Sequence, residues 1–237
     1  MNRTTIQWTE ITWNPVTGCT KISDGCKYCY AERMARRLKA MGNKRYKNGF
    51  KVTVQEDLID QPLHIKKPKM IFVNSMSDLF HDDVPEETIV AIFRTMNEAH
   101  WHTFQVLTKR PERMLELDKK GLINWTDNIW MGVTVESNKY YNRITTLKKS
   151  KAKTKFVSCE PLIDKVTFKS LKGIDWVIVG GESGPGSRPM EKDWVIKIKD
   201  KCEQGGVPFF FKQWGGFNKR KAGRKLDGQT YDEYPDR

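Results

Sequence analysis

Three cysteines crowd one short stretch, Gly18-Cys19-Thr20-Lys21-Ile22-Ser23-Asp24-Gly25-Cys26-Lys27-Tyr28-Cys29-Tyr30-Ala31-Glu32, and thiolates at such spacing suit a shared cofactor. Three protein thiolates can hold three irons of a four-iron cluster and leave the fourth iron open, which implies chemistry rather than scaffolding. Gly18, Gly25 and the pair Asp24-Gly25 permit the tight turns that wrapping one cofactor demands, and Tyr28 sets an aromatic ring directly before the last thiol. Zinc is the competing reading. Cys26-Lys27-Tyr28-Cys29 is the chain's one Cys-x-x-Cys pair, and no His-x-x-x-His follows at a suitable distance. A four-thiolate zinc site would therefore draw its last ligand from Cys159 or Cys202. Five cysteines is an odd count, which argues against a disulfide framework.

The elements that must position this loop can be read from apolar periodicity. From Met70 onward short apolar runs alternate with helical patterns, the signature of a parallel sheet covered by helices. Candidate strands centre on 7–13, 51–54, 70–74, 103–107, 129–135, 154–158, 176–179 and 208–211. Ile71-Phe72-Val73, Val177-Ile178-Val179 and Phe209-Phe210-Phe211 have the wholly apolar character of strands buried on both faces. Helices are expected at 28–41, 85–99, 110–118, 139–150 and 191–204, the last stopped by Gly205-Gly206. In the first of these, Tyr30, Met34, Leu38 and Met41 form an apolar stripe beside Arg33, Arg36 and Arg37. The fold expected is α/β, a (β/α)8 TIM-type barrel or an incomplete six-stranded version of it. Residues 1–215 form the barrel, with the cysteine loop at 18–30, and residues 216–237 a basic C-terminal tail whose aromatics can dock back.

In such barrels the reactive face lies at the carboxyl ends of the strands, and polar residues follow nearly every apolar run. Asn74, Ser75 and Asp78 follow the third candidate strand, Thr108 and Lys109 the fourth, and Glu136 the fifth. Ser158 and Glu160 follow the sixth, Glu182 the seventh, and Lys212 and Gln213 the eighth. Each alone has a structural explanation as a cap or a surface pair; their repetition in register marks a site. Gly180 and Gly181 suit a close approach of backbone to a ligand or a plain tight turn.

The Cys26-Lys27-Tyr28-Cys29 closure resembles the cluster loop of radical S-adenosylmethionine enzymes, which ends on Cys-x-aromatic-Cys. This chain departs from the common pattern in placing six residues, not three, between its first two cysteines. Further stretches extend the likeness: Trp8-Thr9-Glu10-Ile11-Thr12-Trp13-Asn14-Pro15, Val73-Asn74-Ser75-Met76-Ser77-Asp78-Leu79-Phe80, Leu107-Thr108-Lys109-Arg110-Pro111 and Gly132-Val133-Thr134-Val135-Glu136. Others are Ser158-Cys159-Glu160-Pro161-Leu162, Gly180-Gly181-Glu182-Ser183-Gly184 and Phe211-Lys212-Gln213-Trp214-Gly215. On these the chain resembles, nearly end to end, a phage-associated three-Cys-motif family of unknown function related to the radical S-adenosylmethionine proteins.

The resemblance implies a [4Fe-4S] cluster held by Cys19, Cys26 and Cys29, and S-adenosyl-L-methionine bound at the open iron. An external reductant would drive cleavage of that cofactor to a 5′-deoxyadenosyl radical, which removes a hydrogen atom from the substrate. The cofactor's amino, carboxylate and ribose groups need partners, expected among Tyr28, Asn74, Ser75, Asp78, Thr108, Glu136, Ser158, Glu160, Gly180, Gly181 and Glu182. The wider superfamily uses a Gly-Gly-Glu near its second strand for the amino group; here those letters follow the seventh candidate strand, so the role does not transfer with them.

The formal net charge of +13 points to a polyanionic partner, a nucleic acid or nucleotide substrate, although a lysine-rich surface such as Lys148-Lys149-Ser150-Lys151-Ala152-Lys153 contributes to it. Lys109, Arg110, Lys212, Gln213, Arg220 and Arg224 are the candidate substrate contacts. A partner protein or a small metabolite is the alternative substrate, and a zinc-stabilised nucleic-acid-binding protein the alternative class. No apolar run is long enough to cross a bilayer, and the start has no signal-peptide character, so a cytoplasmic protein with no membrane partner is expected.

Overall fold

Strands with no polar face have to be covered on both sides, and the computed structural model, which describes residues 2–236 apart from the side chains of Asn2, Arg3, Lys219 and Arg220, covers them in that way. Its strands are β1 (Asn2–Arg3), β2 (Ile11–Trp13), β3 (Val16–Thr17), β4 (Thr53–Val54), β5 (Met70–Val73), β6 (Thr103–Thr108), β7 (Ile129–Thr134), β8 (Thr154–Cys159), β9 (Trp176–Gly180) and β10 (Phe209–Gln213). One sheet runs β1-β2-β5-β6-β7-β8-β9-β10. All its neighbours pair in parallel except β1 with β2. The result is a curled, incomplete TIM-type barrel of seven parallel strands, one more than the six-stranded alternative and one fewer than a closed barrel.

The strand expected at 51–54 accounts for the difference. Thr53–Val54 is half-buried and pairs antiparallel with Val16–Thr17 in a separate two-stranded ribbon. A stretch of Lys, Val, Thr and Val lacks the apolar side chains to fill both faces of a barrel strand. β5 is therefore the second parallel strand, and β9 the sixth.

Period-two alternation assigns the two faces. Met70 and Phe72 of β5, Trp176 and Ile178 of β9, and Phe210 of β10 join Trp8, Trp130 and Phe156 in a core inside the curl. Ile71, Val73, Val177, Val179, Phe209 and Phe211 face the other way, into the layer beneath the helices. Gly132 on β7 makes room for this interior, because a Cβ there would collide with the Phe156 ring.

The helices are α1 (Tyr30–Ala40), α2 (Glu86–Glu98), α3 (Pro111–Lys119), α4 (Asn142–Lys148), α5 (Lys192–Gly205) and the short α6 (Lys219–Ala222). Gly206 ends α5 in the left-handed conformation at φ 61°. No helix links β8 to β9. Among the described residues, no helix is long and apolar enough to cross a membrane.

α1 packs differently from its apolar stripe. Ala31 and Ala35 are its buried residues, while Tyr30, Met34 and Met41 are 51%, 41% and 69% exposed. Two alanines bring the helix backbone close to the protein, so the neighbouring large side chains point outward.

Residues 231–234 cover the open edge at β10. The Phe211 amide donates to the Tyr231 carbonyl at 2.9 Å, and Trp176 Nε1 donates to the Glu233 carbonyl at 2.8 Å. The Tyr234 ring lies with its centroid 5.0 Å from that of Trp176 and 5.5 Å from that of Phe210, and its hydroxyl donates to the Gln7 carbonyl at 3.4 Å. The last segment thus ties the final strand to the first. Tyr234→Ala is expected to cost about 2 kcal/mol through lost ring packing, read as a lower urea midpoint at unchanged slope.

Candidate active site at the open end of the barrel

The strands' carboxyl ends surround a cavity of about 680 Å³, within the size range of small-molecule sites. Cys19, Cys26 and Cys29 all line it. They are free, partly exposed thiols on one loop. Tyr28, Asn74, Ser75, Asp78, Thr108, Lys109, Arg110, Ser158, Glu160, Gly181, Glu182, Lys212 and Gln213 line it with them. Glu136, Gly180 and Arg224 do not, and the side chain of Arg220 lies outside the described residues.

Rim residues brace the cysteine loop at three points. At its start, Arg110 Nη1 lies 3.6 Å from Cys19 Sγ and 3.2 Å from Asp78 Oδ2, while Nη2 donates to the Thr20 carbonyl and hydroxyl at 3.2 and 3.0 Å. Asp78 is itself held by the Thr108 hydroxyl at 2.6 Å and the Lys109 amide at 2.9 Å. In the middle, Ser23 Oγ donates to Glu136 Oε1 at 2.5 Å, and Gly25 lies so close that a Cβ would come within 2.5 Å of the same oxygen. Arg188 supplies the remaining brace, with Nη2 donating to the Asp24 carbonyl at 2.9 Å and to Glu182 Oε1 at 2.5 Å.

Every rim carboxylate is matched by a cation. Asp78 faces Arg110; Glu136, fully buried, faces Arg143 at 2.8 Å and Lys109 at 3.5 Å; Glu160 faces Lys212 at 3.0 Å; Glu182 faces Arg188. Burial and the Asp78 charge push the Cys19 thiol up to about 11, against the opposing pull of Arg110. A cation beside this sulfur favours its thiolate, so any metal that takes it must displace a proton and gains from Arg110.

Glu160 and Asn74 present themselves to the cavity. Glu160 accepts from Trp8 Nε1 at 3.0 Å and from the Ser158 hydroxyl at 3.3 Å, and a Cβ on Gly180 would collide with its Oε1. Gly180 thus serves the site by being small, from behind Glu160. Asn74 follows β5 with φ 61°, a left-handed conformation that Asn tolerates better than most residues. Its Oδ1 accepts from the Val16 amide at 3.4 Å, while its buried Nδ2 has no partner. That amide is a donor left for a ligand.

Arg224 is placed elsewhere, bonded to Asp232 and, at 3.5 Å, to the Phe211 carbonyl. Gln213 Nε2 donates to Ser183 Oγ at 2.5 Å and so fixes the loop after β9. Sequence reasoning missed Trp8, Thr20, Arg143 and Arg188. Trp8 and Thr20 were visible inside the motif stretches, whereas Arg143 and Arg188 lie in segments that carry no motif.

Solved structures with a similar fold are those of spore photoproduct lyase. A cysteine-to-serine variant matches at a TM-score of 0.50 and 14% identity, over 84% of this chain and 62% of that one. A second variant, with bound AdoMet and dinucleoside spore photoproduct, matches at 0.48 and 12%, over 84% and 62%. The chain spans about three-fifths of the length of these lyases, and the likeness is one of fold, the incomplete TIM-type barrel. No curated protein is significantly similar. The family described as a protein of unknown function, DUF5131, matches residues 3–235, and the chain belongs to that family.

Proposed function

We propose that the protein is a radical S-adenosylmethionine enzyme that holds a [4Fe-4S] cluster through Cys19, Cys26 and Cys29 and modifies a nucleic acid or nucleotide. The observation that carries this reading is that three free thiols of one braced loop all line the same cavity at the open end of an incomplete barrel. The donor set fits such a cluster: three thiols, a guanidinium 3.6 Å from one of them, and no fourth cysteine at the cavity. A four-thiolate zinc site would need Cys159 or Cys202, and both are fully buried in the layer between sheet and helices. Among the described residues, no three His, Cys, Asp or Glu side chains, those of Cys19, Cys26 and Cys29 included, are grouped to hold a single metal ion. The fold shared with spore photoproduct lyase agrees with the barrel that the sequence resemblance implies.

Once bound, the cluster would supply the electron that cleaves the sulfonium of S-adenosylmethionine. The chain's own residues orient and enclose. Asn74 and Ser75 follow the second parallel strand, near which the superfamily engages the cofactor's amino group, and the buried Asn74 Nδ2, itself a donor, suits the cofactor's carboxylate instead. Glu160, fixed by Trp8, Ser158 and Lys212, can accept from a hydroxyl or an ammonium. The apolar interior formed by Trp8, Phe72 and Phe156 closes the cavity floor against water.

Anaerobic reconstitution with iron and sulfide tests the reading. The expected result is a brown protein with about four irons per chain that releases 5′-deoxyadenosine from S-adenosylmethionine under reduction. A colourless protein carrying stoichiometric zinc and taking up no iron overturns it.

A further inference from the structure

Between Arg33 and Gln55 the chain has no acidic side chain and seven basic ones after Arg33: Arg36, Arg37, Lys39, Lys44, Arg45, Lys47 and Lys51. Arg36 pairs with Glu32 and Arg45 with Asp57. Arg37, Lys39, Lys44, Lys47 and Lys51 are exposed and have no ion pair among the described residues. Elsewhere around the site, by contrast, each rim carboxylate is matched to a cation. An unmatched cationic surface beside a matched site lacks an anion.

Two observations make this segment one unit with the cavity. α1 and the connector after it share a small core of Ala31, Ala35, Tyr46 and Met76, on which Cys29, Leu38 and Phe50 also pack. Lys39 lies across the connector, where a Cβ on Gly49 would sit 3.7 Å from its Cδ. The seat of Cys29 is therefore also the support of the basic surface. Tyr30, Met34 and Phe50 of the same unit line the cavity.

We propose that residues 36–51 form a docking track for the phosphate backbone of a nucleic-acid strand whose reacting nucleotide enters the barrel. The reaction in that statement rests on the enzyme reading above, whereas the binding does not. Two turns of α1 measure about 11 Å, the axial length of about three phosphates of one strand. Where the track reaches the cavity, Tyr30, Met34 and Phe217, the last 80% exposed, offer apolar and aromatic surface to an unstacked base. A basic amphipathic helix can also lie on an anionic membrane. Here, however, Tyr30 and Met34 line the cavity, and the Tyr30 hydroxyl donates to the Ser75 carbonyl, so the apolar face serves the mouth.

The test uses the full-length reconstituted protein and its Lys39→Glu/Lys44→Glu/Lys47→Glu variant, with a labelled single-stranded DNA or RNA oligonucleotide followed by anisotropy across a salt series. The expected result is binding that weakens steeply with salt. The variant should lose about 100-fold in affinity at low salt, and its log–log salt slope should fall by about 2, three phosphate contacts' worth. A Lys→Gln triple variant should lose less affinity with the same loss of slope, which separates charge from misfolding. Cleavage of S-adenosylmethionine without nucleic acid should stay at the wild-type rate in both. Equal affinity and slope in wild type and variants overturns the proposal. So does an oligonucleotide affinity unaffected by the substitutions while binding to phosphatidylserine vesicles is lost. If the wild type binds the oligonucleotide through the track but cleaves no S-adenosylmethionine, docking stands and the enzyme reading falls.

Discussion

Alanine at Cys19, Cys26 or Cys29 is expected to abolish reductive cleavage of S-adenosylmethionine, whereas alanine at Cys159 or Cys202 leaves it intact. Loss of a direct ligand should exceed the roughly 10- to 100-fold that outer-shell partners of metal sites are worth, so each loop variant should fall to background with its iron. Cys159 and Cys202 are both 0% exposed and sit in the outer core. Their substitution leaves a small cavity and costs about 1 kcal/mol of stability with no loss of iron. Iron and sulfide content, visible absorption and 5′-deoxyadenosine release across the five single variants check this. Iron loss on changing Cys159 or Cys202 together with the loop cysteines would indicate a shared four-sulfur site instead.

That contrast between cysteines was only half legible in the sequence. Spacing singles out Cys19, Cys26 and Cys29, which line one cavity, but leaves Cys159 ambiguous between Ser158 and Glu160. Alternation along β8 resolves it: Ser158 and Glu160 line the cavity, so Cys159 between them turns to the helices. The barrel itself was readable because strands buried on both faces leave unbroken apolar runs. Lys51 to Val54 failed as a barrel strand because its short β-prone sequence pairs locally with Val16–Thr17. The α1 stripe failed for another reason. Helical periodicity reports which residues share a face, not whether that face meets the core, and two alanines one turn apart decided the packing.

At the site, strand ends showed which polar residues share the rim but not what each of them meets. Glu160 meets Trp8, 152 positions away, and Arg188 meets the Asp24 carbonyl from 164 positions away. Such partners arise from curling the sheet, which brings its first and last strands to one mouth, and no local pattern encodes them. Asp78, Glu136 and Glu182 read alike as rim acids, yet each is engaged with a buried or half-buried cation, and Arg110, Glu136 and Arg188 of these pairs hold the cysteine loop. Asn74 differs in lining the cavity with a buried polar atom that has no partner.

Glu136 gives the sharpest consequence of that division. It is fully buried behind the loop, accepts from Ser23 at 2.5 Å and from Arg143 Nη1 at 2.8 Å, and does not line the cavity. Arg143, with a side chain 6% exposed, also donates to the Thr134 carbonyl at 2.8 Å. Glu136→Ala strands this guanidinium in the interior, an expected cost of about 3–5 kcal/mol, and frees the loop at Ser23 and Gly25. Glu136→Gln keeps the volume and part of the hydrogen bonding and should cost less. If Glu136 bound the cofactor directly, the Gln variant would raise KM for S-adenosylmethionine at nearly unchanged stability. Its place behind the loop predicts the reverse: a lower urea midpoint, faster amide exchange across residues 19–29 and less iron retained, with an unchanged KM for the fraction that assembles. A Glu136→Leu/Arg143→Leu pair should recover much of the stability, since no charge is left buried and unpaired. It should still fail to retain iron, because neither leucine can hold Ser23.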